Sequence, residues 1–170
     1  MDTPEAEHDT RSERAYQAQT YFNLGYRHQM QHQLDLAIEF YQKSIQTLPT
    51  AEAHTYLGWA HSFAGRYDAA IRECLRAIEI DPDFGNPYND IGSYMMAKGD
   101  LDGAEPWLKR ALLAPRYQSY CFPHFNLGRV YEERGEFRHA AQEYELALGE
   151  DEAFRPAEEA LARVQTLIGG

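Results

Sequence analysis

From about Gln17 to Phe154, apolar and small residues recur at i, i+3, i+4 and i+7, the spacing that lines one face of an α-helix. The arrangement of those positions itself repeats. Tyr21-x2-Leu24-Gly25 returns as His54-x2-Leu57-Gly58, Tyr88-x2-Ile91-Gly92 and His124-x2-Leu127-Gly128. Three residues beyond each Gly come His28, His61, Met95 and Tyr131, and twelve beyond come Ala37, Ala70, Ala104 and Ala140. Four further on sit Tyr41, Cys74, Leu108 and Tyr144, followed by Ser44, Ala77, Ala111 and Ala147.

Each unit therefore predicts two helices joined by a tight turn. Gly and Ala at the repeated positions let the two backbones approach, and the larger residues fill the space between units. One hairpin cannot bury its apolar face alone, so each unit needs its neighbours. Gly65, Gly99 and Gly135 are placed to take the left-handed conformation that ends a first helix, whereas the first unit has His32 in that slot and is expected to make the least ideal turn. The third unit is long and holds Pro115 to Pro123, read as an extended loop with Pro123 opening the next helix as Pro87 does earlier. Cys121 falls in that loop and is expected to be accessible, while Cys74 fills a core slot. Arg155 to Ile168 carries Ala157, Leu161, Val164 and Ile168 at helical spacing and predicts a capping helix.

These motifs resemble the tetratricopeptide repeat family, whose unit of about 34 residues follows W-x2-L-G-x2-Y…A-x3-F…P. Pro49 and Pro82 close the first two units, Pro115 closes the third early, and the fourth has no Pro there. The resemblance implies an all-α, right-handed superhelical solenoid of four helical hairpins plus the C-terminal capping helix. The expected organisation is a flexible segment over 1–14, units over about 18–50, 51–84, 85–120 and 121–154, and the cap and tail over 155–170.

Composition narrows the function. Of 170 residues 44% are hydrophobic and 25% charged, a globular balance, and the net charge of −11 repels phosphate backbones and anionic membranes. Neither a secretory signal nor an apolar span long enough for a bilayer is visible, so a cytoplasmic location without membrane insertion is expected. No catalytic motif and no H-E-x-x-H appears, and the histidines occupy packing or turn slots. The chain is thus expected to be no enzyme and to need neither metal nor cofactor.

The resemblance places a second stripe of each first helix on the inside of the curve. In the first two units that stripe collects Phe22, Asn23, Tyr26 and Met30, then Tyr56, Trp59 and Phe63. The later units contribute Asn89, Ser93 and Met96, then Phe125, Asn126 and Arg129. A solvent-facing stripe without a purpose is polar, whereas its first half here is aromatic, the composition of a recognition surface. The expected function is a non-catalytic scaffold that holds a peptide or partner segment in this concave groove, with Trp59 as the main anchor. The basic clamp with which related co-chaperones hold acidic tails is absent, because its slots carry Phe22, Tyr26, Asn86 and Asp90. Two alternatives stand beside this reading: a homo-oligomeric structural module, using Tyr117, Tyr120, Phe122 or the cap, and an accessory or chaperone subunit of a larger machine.

Overall fold

The small residues of the repeat decide how closely its helices pack. A Cβ on Gly25 would sit 2.7 Å from the Tyr41 ring, and one on Gly92 would sit 2.5 Å from Leu108 Cδ2. On Gly58 it would come within 2.9 Å of the Ala70 carbonyl oxygen, and on Gly128 it would run into the Tyr144 ring. Each marker glycine thus receives the side chain sixteen residues on or its immediate surroundings (25 to 41, 58 to 74, 92 to 108, 128 to 144). Tyr41, Cys74, Leu108 and Tyr144 are fully buried as a result. Burying a side chain of this size stabilises by about 1.5–3 kcal/mol.

The computed structural model describes residues 4–169, which contain nine α-helices and no strand. They form two compact bodies, divided after Asp81. The first body holds α1 (Pro4–Met30), α2 (Leu34–Thr47), α3 (Ala51–Phe63) and α4 (Tyr67–Ile80). Here α1 pairs with α2 and α3 with α4, and α2 packs on α3. Its core is Ala37, Ile38, Tyr41, Leu57 and Ala60, with Phe22, Ile45 and Tyr56 packed against it. The second body holds α5 (Asn86–Ala97), α6 (Leu101–Leu113), α7 (Cys121–Glu133), α8 (Phe137–Glu150) and α9 (Arg155–Gly169). The α5–α6 and α7–α8 hairpins are joined through α6 and α7, and α9 closes on α8.

The turns follow the expected chemistry. Gly65, Gly99 and Gly135 have φ of 69°, 82° and 77°, and His32 takes the same region at 59°. His32 accepts that strain because the turn is tied by Gln33 N donating to the His28 carbonyl oxygen at 2.9 Å. Thr50 caps α3 by accepting from Ala53 N (3.1 Å), and Asp100 caps α6 by accepting from Gly103 N (2.8 Å).

The segment expected to be flexible over 1–14 overlaps α1, which starts at Pro4; residues 1–3 lie outside the described residues. Proline suits a first helical turn, and Glu, Ala and Arg propagate a helix without any apolar period. Arg14 also ties this part of α1 to α2, donating to the Thr47 carbonyl oxygen at 2.9 and 3.3 Å.

The loop expected over 115–123 ends earlier, because Cys121, Phe122 and Pro123 already belong to α7. Its remaining part lies folded against the start of α5. Arg116 N donates to the Asp83 carbonyl oxygen (3.0 Å), Gly85 N donates to that of Arg116 (3.1 Å), and the Arg116 guanidinium covers the Phe84 ring at 4.3 Å. Tyr117 is buried beside Gly85, whose missing side chain makes room for the ring. Cys121 is buried rather than accessible, and burial pushes its thiol pKa up. On α9, Ala157 and Val164 face the core as the spacing implies, whereas Ile168 is 40% exposed at the edge of a cavity beside the start of α8.

Candidate partner-binding face

In the first body the stripe is a continuous aromatic face on α1 and α3. Phe22 and Tyr26 lie one turn apart on α1, and both meet Tyr56 of α3 edge-on, with ring centroids 5.0 and 5.9 Å away. Tyr56 in turn meets Trp59 at 5.7 Å, and Trp59 meets Phe63 at 5.4 Å. The face is anchored from below by Tyr41 of α2, which lies 5.6 Å from Phe22 and 6.1 Å from Tyr56. Tyr41 is held in turn by donating its hydroxyl to Gln29 Oε1 at 2.8 Å. Burial, with Tyr56 and Tyr26 beside it, pushes the Tyr41 pKa above the ordinary phenol range.

The depth of these side chains grades along the face. Phe22, Tyr56 and Trp59 are half-buried, whereas Tyr26, Met30 and Phe63 are 43%, 47% and 55% exposed. Edge-to-face aromatic pairs hold one another rigid, so the open rings need little ordering when something docks. Asn23 is exposed beside them and accepts from Gln19 Nε2 at 2.9 Å.

In the second body the stripe changes character. Asn126 is nearly buried and donates its amide to Asn89 Oδ1 at 3.1 Å, linking α7 to α5, and Arg129 makes a long 3.5 Å contact to Asn126 Oδ1. Ser93 is half-buried. Arg129 stays exposed because Glu132 is taken by Arg163, at 2.7 and 2.9 Å, and by the Tyr144 hydroxyl at 2.6 Å. One residue expected on the stripe, Met96, is core instead, and a second, Phe125, is partly covered. Met96 is 7% exposed among Leu108, Leu127 and Val130, because the helix turns its position inward. Phe125 is half-buried against Tyr144 (5.7 Å) and Phe154 (5.3 Å). Phe154 also meets the exposed Phe122 at 5.3 Å. The repeat spacing carries no signal for Phe154, which lies in the linker before α9.

Three of the histidines brace helix pairs. His28 stacks on Phe40 at 5.2 Å, and His54 and His124 pair with carboxylates of the second helix of their own hairpins. Among the described residues no group of three or more His, Cys, Asp or Glu is arranged to hold a metal, and no helix is long and apolar enough to cross a membrane.

Comparison with known proteins places the fold in a class of helical-hairpin repeats. Residues 51–84 and 124–156 each match a tetratricopeptide repeat model. The chain carries tetratricopeptide repeats. It is similar to Tetratricopeptide repeat protein 29 of Macaca fascicularis, with 31% identity over 56% of this chain and 22% of the relative, so it spans about a fifth of that relative's length. Among solved structures it is similar to Pseudomonas aeruginosa pilF, with a TM-score of 0.83 and 19% identity over 89% of this chain and 68% of that one. It is also similar to the first tetratricopeptide repeat domain of Spaghetti (RPAP3) bound to the HSP90 peptide SRMEEVD. That match has a TM-score of 0.65 and 19% identity, covering 71% of this chain and 94% of the other.

Proposed function

We propose that this chain is a non-catalytic scaffold that holds a segment of another protein on the aromatic face of α1 and α3. The observation that carries the reading is the run Tyr26, Tyr56, Trp59 and Phe63, rings in mutual contact with Tyr26 and Phe63 open to solvent. Aromatic rings preorganised in this way dominate the energetics of protein interfaces. The solved relative carrying SRMEEVD supports peptide holding by this fold. That peptide holds two Glu and one Asp, whereas Phe22 and Tyr26 offer no counter-charge here. An apolar segment, not an acidic tail, is the partner this face fits.

The test is site-specific photocrosslinking. Benzoylphenylalanine in place of Tyr26 captures the partner, and the same group in place of Leu75 on α4 does not. Equal capture from both positions, or capture only from Leu75, overturns the reading. A cytoplasmic setting accompanies the proposal, since the net charge of −11 suits a water-filled compartment.

A further inference from the structure

Four linkers run from the second helix of a hairpin to the helix that follows it. Three of them carry aromatic residues: Phe84 before α5, Tyr117 and Tyr120 before α7, and Phe154 before α9. The α2–α3 linker, residues 48–50, carries none and is one residue shorter than the α8–α9 linker, residues 151–154.

The fourth hairpin shows what such a ring does. Phe154 packs against Cys121 and Ala147, and its ring meets Phe122 and Phe125 edge-on, each at 5.3 Å. Counted from the marker glycines, Cys121, Phe122, Phe125 and Ala147 hold the slots that Ala18, Gln19, Phe22 and Ser44 hold in the first hairpin. Those four residues, with Ala15, Leu48 and Thr50, line a cavity of about 410 Å³. The frame that closes on Phe154 in the fourth hairpin is therefore open in the first.

The polar groups around the cavity are already engaged. Ser44 donates its hydroxyl to the Ala18 carbonyl oxygen at 2.8 Å, Thr50 Oγ1 accepts from Ala53 N at 3.1 Å, and Gln19 Nε2 donates to Asn23 Oδ1 at 2.9 Å. A guest meets the apolar surface of Ala15, Ala18, Phe22 and Leu48, which suits a group with no hydrogen bond to make. Phe22 belongs to the aromatic face as well, 5.0 Å from Tyr56, so cavity and face adjoin within the first body.

We infer that this cavity is the socket for a phenylalanine side chain of the held segment, whose ring packs on Phe22 as Phe154 packs on Phe125. An aromatic guest gains an edge-to-face pair there that an aliphatic one does not. The inference rests on the scaffold reading above and names the residue that the partner inserts.

The experiment measures fluorescence anisotropy of fluorescein-labelled Lys-Ala-Leu-Ala-Phe-Ala-Leu-Ala-Lys against the full chain, beside the same peptide with Ala in place of Phe. Wild type binds the phenylalanine peptide about tenfold more tightly. Ala15 is exposed at the cavity, so Ala15→Phe fills the socket from the chain itself and removes the preference, with circular dichroism confirming the fold. Gln19→Trp, at a second exposed position of the lining, has the same effect and serves if Ala15→Phe does not fold. Equal affinity of wild type for the two peptides, or a preference that survives both fillings, overturns the assignment. Self-association of wild type in light scattering that Ala15→Phe abolishes would make a second copy the occupant and overturn it too. Trp59 is not part of the cavity lining. If Trp59→Ala binds both peptides as wild type does, the aromatic-face reading fails while the socket stands on its own variants.

Discussion

His54 Nδ1 lies 2.8 Å from Glu73 Oε2, and the same two slots in the fourth hairpin bring His124 Nδ1 to 2.7 Å from Glu143 Oε2. In the first and third hairpins those slots hold ring pairs instead, Tyr21 with Phe40 at 6.4 Å and Tyr88 with Trp107 at 6.2 Å. One geometric brace between the two helices of a hairpin is thus built from two chemistries in alternation. Both solutions fill the same gap, and the polar one needs both its members.

Glu73→Ala or Glu143→Ala should therefore cost about 1–3 kcal/mol, because a half-buried imidazole is left without its partner. The double change His124→Tyr with Glu143→Trp rebuilds the ring pair of the third hairpin and should recover most of what either single change loses. Urea unfolding of the three variants checks this, and a double variant weaker than both singles would show that the two chemistries are not interchangeable.

The marker glycines give a second expectation. Gly92→Ala places a methyl group 2.5 Å from Leu108 Cδ2 and should destabilise by about 1–3 kcal/mol through overpacking. Gly128→Ala should be at least as costly, because Tyr144 is tethered by donating its hydroxyl to Glu132 and cannot swing away freely. Thermal unfolding of each variant reads the loss directly.

Acid should weaken the second body through Glu105. Hydrogen bonds from Lys109, Arg134 and Tyr131 hold its carboxyl at about 2, below the ordinary value of 4.5. A depressed folded pKa means stability that is fully present above about 4.5 and is lost as pH falls toward 2. Glu105→Gln should lower Tm at pH 6 and flatten its fall between pH 5 and pH 3. An unchanged acid limb would show that the network contributes nothing.

Asp90 has the opposite sign. Its folded pKa of about 7 lies above the ordinary 3.8, so the charged form weakens the fold above pH 7 and the penalty fades as pH falls toward 4. Asp90→Asn should raise Tm by about 3 °C or more at pH 8, with a smaller gain at pH 5.5. Calorimetry at the two values separates this from a pH-independent gain.

The hairpins were legible in the sequence because close packing requires small residues at fixed spacing, and Gly25, Gly58, Gly92 and Gly128 mark each contact with the second helix. The positive-φ turns were legible for the same reason, His32 included, since a slot in the repeat predicts a conformation whatever occupies it. The start of α1 was not, because residues 4–14 are helical without an apolar face. The fate of Met96 and Phe125 was not legible either. A stripe assigned by slot cannot tell an open ring such as Phe63 from one covered by Phe154, which comes from outside the repeat pattern. Asp90 shows the same limit, because the burial of a carboxylate is recognised only once the residues around it have been placed.

The most direct test of the account compares wild type and Trp59→Ala as bait in a native lysate, with mass spectrometry of what each retains and Tm of both baits. The account predicts a protein retained by wild type and lost by Trp59→Ala, with the two melting temperatures close together. The same proteins on both baits, or a variant that no longer folds, would contradict it and make Trp59 a packing residue.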